Sequence, residues 1–320
     1  MKRSLLGAAL AAAVLALGVV PAAADYPDRQ ISLVVPFSSG GTTDILGRLV
    51  ADQLEERLGA TVVVDNRSGA GGTVGSAAVA TSDPDGYTLL MSNIASQGVA
   101  PALREVPYDP DGDFAHVALV GMVPNAIVVH PSFPAETLGE FMERAKEETV
   151  LYGTGGTGTS VHMSGELLKH MTGAKLEHVP YRGAAPARND VLGNQIPAVI
   201  DGITSIAGPV QDGRLRILAV TSPERSALFP DIPTVAEAGV PDYEATAWFG
   251  ISAPAGTPEA VVETLNAAVR EALKDPALAE RLRDLGVAPG DLSAAAYTDF
   301  VRAELNKWQE LAASIDLKLE

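Results

Sequence analysis

Residues 31–48, ISLVVPFSSGGTTDILGR, run from an apolar segment through a glycine-rich turn into a helical pattern. Residues 150–168, VLYGTGGTGTSVHMSGELL, repeat this arrangement. A helix that starts directly after such a turn presents backbone N–H groups without partners, and its macrodipole is positive at that end. Each segment therefore predicts an anion site at a helix N-terminus. Two such sites, well separated in one chain, suggest a pair of half-sites that close on one anionic ligand.

Short apolar runs alternate with helical patterns along the chain, which is typical of a mostly parallel α/β sheet. The predicted strands are residues 31–37, 61–65, 87–91, 117–120, 126–129, 150–152, 176–179, 198–200, 217–220 and 247–253. From residue 257 onward the pattern becomes almost purely helical. Trp248 and Phe249 could form one wall of a pocket, although packing in the core is the ordinary role of aromatic residues.

The first 24 residues have the pattern of a secretory signal sequence. Lys2 and Arg3 precede an apolar run that ends in three alanines. We expect export to the periplasm, with cleavage between Ala24 and Asp25. The apolar run is short for a membrane anchor, which is the alternative interpretation. The chain has no cysteine, so it offers no lipid anchor on cysteine, no disulfide and no thiolate metal site.

The rest of the chain, residues 25–320, exceeds one ordinary domain and predicts two lobes, each with its own core. No long linker separates two halves, so we expect the chain to cross between the lobes more than once, near residues 124–129 and 217–222. The predicted lobes are residues 25–124 together with 221–320, and residues 125–220.

The chain is acidic. Without Lys2 and Arg3 its formal net charge of −17 becomes −19. This acidity, without any run of lysines or arginines, argues against nucleic acid and against an anionic membrane surface as partners. It does not argue against an anionic ligand, because the amides of a glycine loop act at short range while salt screens distant charges.

The first turn concentrates hydroxyl and amide donors, and its two glycines allow a close approach that a Cβ would block. Thr42 or Thr43 is predicted to cap the helix. Asp44 is expected to strengthen the helix start and to pair with Arg48 one turn later. The alternative is an ordinary, well-capped turn between a strand and a helix.

The second turn contains Gly153, Gly155 and Gly158 in the GxGxxG spacing of a dinucleotide-binding loop, with Glu177 at about the distance, roughly 20 residues, of the acid that such a site needs. That acid should end the next strand, whereas the strand pattern continues after Glu177. We therefore expect no cofactor. An exported NAD-dependent oxidoreductase remains the alternative function.

The helix predicted after the second glycine turn carries a row of residues with metal-ligand chemistry. His162, Glu166 and His170 fall at four-residue spacing on one helix face. Eight residues of helix rise about 12 Å, so one ion could bind only an adjacent pair, and no HExxH motif completes the site. No GxSxG nucleophile elbow occurs in the sequence. We therefore predict neither a metal site nor an enzyme.

A third glycine run, residues 69–75, also follows a predicted strand and precedes a helical pattern. It has two interpretations: it lines the same cleft, or it provides tight packing between helix and sheet. The sequence leaves both open.

Seven longer motifs stand in order along the chain. They are PFSSGGTTD at 36–44, DNRSGAGGTVG at 65–75, DPDGYTLL at 83–90, YGTGGTGTSVHMSGELL at 152–168, VPYRGAAPARNDVLGNQI at 179–196, LAVTSPERSALFPDIPTVAEAG at 218–239 and WFGISAPAGTP at 248–258. These motifs resemble the solute receptors of tripartite tricarboxylate transporters, the Bug family. The resemblance implies a monomeric, two-lobed periplasmic binding protein of the type II, Venus-flytrap kind. Such a protein captures a small organic carboxylate for membrane permease subunits; a ligand sensor with the same cleft is an alternative.

In that family the first glycine loop of one lobe and the second glycine loop of the other jointly hold a carboxylate, through backbone amides, hydroxyls and bridging waters. The resemblance thus implies ligand-binding roles for Phe37, Ser38, Ser39, Gly40, Gly41, Thr42, Asp44, Thr154, Thr157, Gly158, Thr159, His162 and Asp201. The alternative for Asp201 is a turn at a strand end. Ala100 stands where an asparagine is common, so the ligand's identity does not follow from the resemblance if residues 92–101 meet its far end.

Overall fold

Two β-sheets form the framework of the protein in the computed structural model, which describes residues 26–181 and 183–318. The strands are β1 (Ile31–Val35), β2 (Val62–Asn66), β3 (Thr88–Asn93), β4 (Phe114–Val123), β5 (Asn125–Val129), β6 (Val150–Thr154), β7 (Leu176–Pro180), β8 (Ala198–Gly202), β9 (Arg216–Val220), β10 (Ala247–Pro254) and β11 (Ala288–Pro289). The ten predicted strands are confirmed as β1 to β10. The two-residue β11 is too short to show a sequence pattern. The predicted signal sequence lies outside the described residues.

Helices follow most strands, as the alternating pattern predicts. They are α1 (Thr42–Leu58), α2 (Thr73–Ala80), α3 (Ala100–Leu103), α4 (Leu138–Glu147), α5 (Ser160–Thr172), α6 (Ala184–Leu192), α7 (Ile203–Gln211), α8 (Glu259–Leu273), α9 (Pro276–Asp284) and α10 (Ala294–Ser314). A 3₁₀ turn at Ala70–Gly72 precedes α2, and a π-helical turn at Ala95–Val99 precedes α3. None of these helices is long and apolar enough to cross a membrane.

The first sheet has the strand order β11-β4-β10-β3-β1-β2, and the second has the order β7-β6-β8-β5-β9. Strand β1 runs parallel to β2 and β3, and β6 runs parallel to β7 and β8. The other five pairings between the described strands are antiparallel. The two-lobed α/β fold is thus confirmed, but the sheets are mixed and not mostly parallel. Strands β5 and β10, each of which follows a crossing, run opposite to both of their neighbours, and the short β11 pairs antiparallel with β4.

The chain passes between the sheets at two adjacent places. Strand β4 of the first sheet continues into β5 of the second with only Pro124 between them, and the segment after β9 leads back to β10. Hydrogen bonds tie the crossings together: Thr221 N–H donates to Asn125 O (2.9 Å), and Ala245 N–H donates to Thr221 O (3.0 Å). The first crossing falls within the predicted residues 124–129, and the second starts at the end of β9, inside the predicted residues 217–222, and extends to β10.

The C-terminal helix α10 closes the first lobe and encloses the aromatic residues. Trp248 is fully buried, and its indole N–H donates to the Glu304 carboxylate at 3.0 Å. Trp308, on α10, donates to the same carboxylate at 3.2 Å. Because a buried indole needs such a partner, this arrangement fixes α10 on the sheet. Of the two interpretations of Trp248, core packing is confirmed.

Candidate functional site

The first loop connects β1 to α1 and presents backbone donors without partners. Gly40 has a φ of +87°, a left-handed conformation that glycine adopts without strain. The N-cap residue of α1 is Gly41, and no side chain caps the helix. The prediction that Thr42 or Thr43 caps it is wrong, because both residues lie within its first turn. Among the described residues, the N–H groups of Gly41, Thr42 and Thr43 bond to no acceptor, as an anion site requires.

Asp44 lies beneath this loop and holds its shape. Its carboxylate accepts hydrogen bonds from Gly40 N–H (2.9 Å), Arg48 Nε (3.0 Å) and Asn66 Nδ2 (2.9 Å). Asn66 Nδ2 also donates to Phe37 O at 3.0 Å, so the loop is held at two points. Asp44 is 3% exposed, and its bond with Arg48 is the main cause that lowers the pKa of the carboxyl group to about 2. Its position therefore favours support of the loop over direct contact with a ligand.

We expect the Asp44→Asn substitution to lower the free energy of unfolding by about 2 kcal/mol, because hydrogen bonds to a buried charge are lost. Ligand affinity should fall as well, since the loop loses its support. Urea unfolding at pH 7 measures the first effect. Asp52→Asn, at an exposed position of the same helix, is the control. Equal unfolding free energies for the two variants would contradict the supporting role.

The second loop connects β6 to α5 in the other lobe. Thr159 is the N-cap residue: its hydroxyl oxygen accepts from His162 N–H (3.3 Å), and its O–H donates to Gly156 O (2.7 Å). Gly158 has a φ of +75°. Among the described residues, no acceptor bonds to the N–H groups of Thr157, Ser160 and Val161. The loop thus repeats the first one as a turn with free amides at a helix start.

A cluster of buried and half-buried polar side chains supports the second loop from below. His162 Nδ1 accepts from Gly158 N–H at 3.2 Å, and Thr154 Oγ1 lies 2.6 Å from His178 Nε2. The two imidazole rings are tilted against each other with centroids 4.0 Å apart. Burial is the main cause that lowers the pKa of His162 and of His178 to about 4. Both rings are therefore neutral at pH 7, and a neutral His162 is what the amide of Gly158 requires.

These histidines predict a loss of stability in mild acid. The unfolded chain protonates an imidazole near pH 6.5, whereas the folded chain does so only near pH 4. The stabilisation is therefore complete above about pH 6.5 and is lost as the pH falls to about 4. The buried His116, whose pKa is lowered to about 4 by burial, acts in the same direction. Urea unfolding across this pH range measures the effect.

The control for this prediction is a pair of substitutions in α5. His162→Gln should flatten the pH dependence, because an amide oxygen can accept from the loop without titrating. His170→Gln, at an exposed position, should leave it unchanged. If His162→Gln keeps the full slope of the wild type, the buried histidine is not its source.

Asp201 lies near the carboxyl end of β8, two residues after the partner of Gly153 in β6. Its carboxylate accepts from Arg188 Nη1 and from Gly202 N–H, both at 2.7 Å. The side chain is buried and its charge is paired. Asp201 therefore ties α6 to β8 beside the second loop, which agrees with its alternative as a strand-end residue.

A cavity of about 370 Å³ lies between the two lobes, and we call it the interlobe cavity. Its lining residues are Phe37, Ala70, Gly71, Ala95, Ala100, Leu103 and Arg104 on one side, and Thr157, Gly158, Thr159 and Ser160 on the other. The structure thus brings together Phe37 and the predicted residues 157–159. Residues 38–42 are exposed in the loop that follows Phe37, while Thr154 and His162 lie buried beneath the second loop.

The third glycine run serves both of its proposed roles. Gly71 lines the interlobe cavity. Gly75 packs so closely on the first loop that an added Cβ would lie 2.8 Å from Pro36 Cα. Sequence reasoning missed Leu103 and Arg104, because an apolar residue and an arginine after a helical pattern carry no motif.

The alternatives to anion capture do not fit this geometry. Glu177 pairs with Leu151 in the first half of both strands, three residues before β6 ends, so it is about 10 Å along the strand from the glycine loop. A dinucleotide site needs its acid at the opposite end of the strand. His170 is exposed beside Ser314, and the described residues contain no group of three side chains that could hold a metal ion.

Comparisons with known proteins agree in sequence and in fold. The family described as "Tripartite tricarboxylate transporter family receptor", TctC, matches residues 46–317. BugT of Bordetella pertussis is 36% identical over 306 residues, which cover 94% of this chain and 94% of BugT. Rpa4515 of R. palustris, solved with adipate, superimposes with a TM-score of 0.79 at 36% identity, covering 92% of this chain and 99% of that one. MatC (Rpa3494) of Rhodopseudomonas palustris, solved with bound malate, gives 0.75 at 32% identity, with coverages of 89% and 99%.

The family model begins at residue 46, after the first glycine loop, whereas the matches to BugT, Rpa4515 and MatC cover 89% or more of this chain and almost all of each compared protein. The similarity therefore concerns the whole receptor and not an isolated lobe. The chain belongs to the tripartite tricarboxylate transporter receptor family, TctC, whose members are periplasmic solute-binding proteins and not enzymes.

Proposed function

We propose that the chain captures a small organic carboxylate in the interlobe cavity and presents it to the permease subunits of a tripartite tricarboxylate-type transporter. The observation that carries this proposal is the cavity between the lobes, where Phe37, directly before the first loop, lies opposite the start of α5. Among the described residues, the helix starts after both loops carry backbone N–H groups without an acceptor. Such amides hold a carboxylate through oriented dipoles. The adipate and malate of the two similar solved receptors are carboxylates too.

Binding of one ligand to loops of both lobes explains why the two lobes close. A ligand that contacts both loops binds the closed arrangement more tightly than the open one, and this difference in affinity shifts the population towards closure. The hinge would lie at the two tied crossings, next to Pro124 and Thr221. We accordingly propose lobes of residues 25–124 with 221–320, and 125–220. A membrane transporter then recognises the closed form.

We further propose that residues 1–24 are removed during export, so that the mature receptor works as a periplasmic monomer. The position of this family outside the cytoplasm supports the proposal. Mass spectrometry of the chain purified from the periplasm tests it. A mature N-terminus at Asp25 is the expected result, and a retained Lys2 would contradict it.

The binding proposal is tested by a thermal-shift screen over mono-, di- and tricarboxylates, aromatic acids and acidic amino acids. A ligand that binds only the folded chain raises the melting temperature by mass action. The control for each acid is its neutral amide, which lacks the anionic group. We expect at least one acid to raise the melting temperature while its amide does not. A complete panel without such a hit would contradict carboxylate capture.

A further inference from the structure

A second cavity, of about 490 Å³, lies beside the two crossings, and we call it the hinge cavity. It is lined by Pro124 of the first crossing, residues 222–227 of the second, Met122 of β4, and residues 286–289, which include β11. It shares no lining residue with the interlobe cavity, whose first side is formed by residues that follow β1, β2 and β3. In the first sheet, β10 separates those strands from β4 and β11. The two cavities are therefore lined by strands on opposite sides of β10.

The two walls of the hinge cavity are attached to different sheets. The wall that leads from α9 into β11 is joined to the first sheet, because β11 pairs with β4. The wall of the second crossing continues from β9 of the second sheet and bonds back to it, since Val235 N–H donates to Val220 O (2.9 Å). The walls approach each other at Gly286, where an added Cβ would lie 2.8 Å from Leu228 Cδ1. A molecule in this cavity therefore contacts segments of both sheets.

The inner part of the wall is mostly apolar and carries a few hydroxyl groups. Pro124 and Val287 are buried there, and Met122 is half-buried. Ser226 is 5% exposed, and its hydroxyl oxygen accepts from Leu228 N–H at 3.3 Å. The proton of this hydroxyl has no acceptor among the described residues. Because a buried donor is costly to leave unpaired, the wall favours a ligand that brings an acceptor.

The ionisable side chains of the hinge cavity are exposed and so form its rim. They are Glu224, Arg225 and Arg283. Both arginines already face a glutamate: Arg225 Nε lies 2.8 Å from Glu237, and Arg283 Nη2 lies 3.8 Å from Glu280. A charged ligand inside would find no buried partner among the described lining residues, and burial of an unpaired charge is far more costly than burial of a neutral polar group. The inner part therefore suits an uncharged molecule.

We propose that the hinge cavity binds a small uncharged molecule with an apolar body and one hydrogen-bond acceptor, such as an aromatic or alicyclic ketone. The apolar body lies against Met122, Pro124 and Val287, and the carbonyl oxygen accepts from the hydroxyl of Ser226. An apolar cavity of about 150 Å³ holds benzene, so a body of one or two rings fits the larger hinge cavity. The site goes beyond carboxylate capture and does not depend on it.

An occupant of the hinge cavity also acts on the interlobe cavity. Because it contacts both walls, it binds the described arrangement of the two sheets better than one in which the walls separate, and it shifts the population towards the described arrangement. In that same arrangement Phe37 lies opposite the start of α5 across the interlobe cavity. We therefore expect the ketone and the captured acid to raise each other's affinity, by equal factors.

The test is an NMR titration of the chain labelled at its methionine methyl groups, with acetophenone as the probe. Of the six methionines, Met122 lines the hinge cavity, and a Met122→Leu variant assigns its signal. Acetophenone should shift this signal with a Kd of about 1 mM or tighter, and it should leave the signal of the exposed Met171 in place. Ethylbenzene, which lacks the acceptor, should bind at least about 3-fold more weakly. The charged 1-phenylethylammonium, which has the same carbon skeleton, should bind at least about 10-fold more weakly.

Two substitutions locate the probe. Ala279→Phe fills the hinge cavity from α9 and should abolish the shift of the Met122 signal. Ala277→Phe, at an exposed position of the same helix outside the cavity, is its control and should retain the shift. Ser226→Ala should remove the preference for acetophenone over ethylbenzene, an effect that a merely structural role of this serine would not produce.

The outcomes separate the site, its ligand class and its effect on capture. An unchanged Met122 signal in the wild type, or an equal shift in a folded Ala279→Phe variant, would overturn the site. Equal binding of the three compounds would overturn the ligand class. If Ala279→Phe does not fold, as judged by circular dichroism, the three compounds on the wild type and on Ser226→Ala decide.

The effect on capture is measured by calorimetry with any acid found in the thermal-shift screen. Saturating acetophenone should raise the affinity for that acid by about 3-fold or more. An unchanged affinity would overturn the coupling between the cavities. Failure of every acid to bind would overturn the proposed function and leave the hinge site standing, because the Met122 signal reports on the ketone without any acid.

Discussion

A Gly41→Asp variant is expected to fold like the wild type and to lose more than about 100-fold in carboxylate affinity. Gly41 is the exposed N-cap residue of α1 with a φ of −84°, and an added Cβ would meet only Ser38 O, at 4.0 Å. Aspartate is a preferred N-cap residue whose side chain accepts from the N–H groups of the first turn. The introduced carboxylate would therefore occupy the donors that we assign to the ligand. It would also repel the ligand by about 4 kcal/mol at about 4 Å and an effective dielectric constant near 20.

Calorimetry with any acid found by the thermal-shift screen measures this effect, and urea unfolding measures the stability of the variant. Gly41→Ala is the control for the added Cβ, and its affinity should stay within about 3-fold of the wild type. The stability of Gly41→Asp should be unchanged or slightly higher, because the helix gains a cap. A folded Gly41→Asp variant with unchanged affinity would show that the first loop does not hold the carboxylate.

The equivalent substitution in the second loop, Thr157→Asp, is expected to abolish binding to a similar degree. Thr157 is exposed, lines the interlobe cavity and has no hydrogen-bond partner for its N–H group among the described residues. A carboxylate at this position faces the ligand from the opposite lobe and repels it over a similar distance. The fold should tolerate the change, since the side chain is not packed in the core.

Thr157→Asn is the matched control, because it has the size of aspartate without the charge. We expect it to retain affinity within about 10-fold of the wild type. Titration of both variants with the same acid gives the comparison. If Thr157→Asp and Thr157→Asn bind equally well, charge at the second loop does not matter, and the ligand is held by the first lobe alone.

Local patterns made much of the fold predictable. The apolar runs marked β1 to β10, and the helical periodicity after residue 257 marked α8 to α10. The relative direction of the strands was harder to predict. The alternation of strands and helices does not show which strand carries the chain from one lobe to the other. Strands β5 and β10 each lie antiparallel to both of their neighbours, so the sheets are mixed.

The site was predictable where backbone chemistry defines it and less so where side chains from distant segments meet. Glycine spacing indicates both loops, since only particular residues permit those turns. The contact of Asn66 with Asp44, and the contact of the His178 ring with the His162 ring, join positions that are 22 and 16 residues apart. Arg104, directly after α3, bonds at the cavity to Ala70 O in the third glycine run, a contact that no local pattern indicates.

The central claim is that two loops on separate lobes hold one carboxylate. A crystal structure of the receptor with a bound acid tests it most directly. The account predicts carboxylate oxygens within about 3 Å of N–H groups at the starts of both α1 and α5, directly or through one bridging water. A carboxylate that contacts only one of these helix starts, or that binds outside the interlobe cavity, would contradict it.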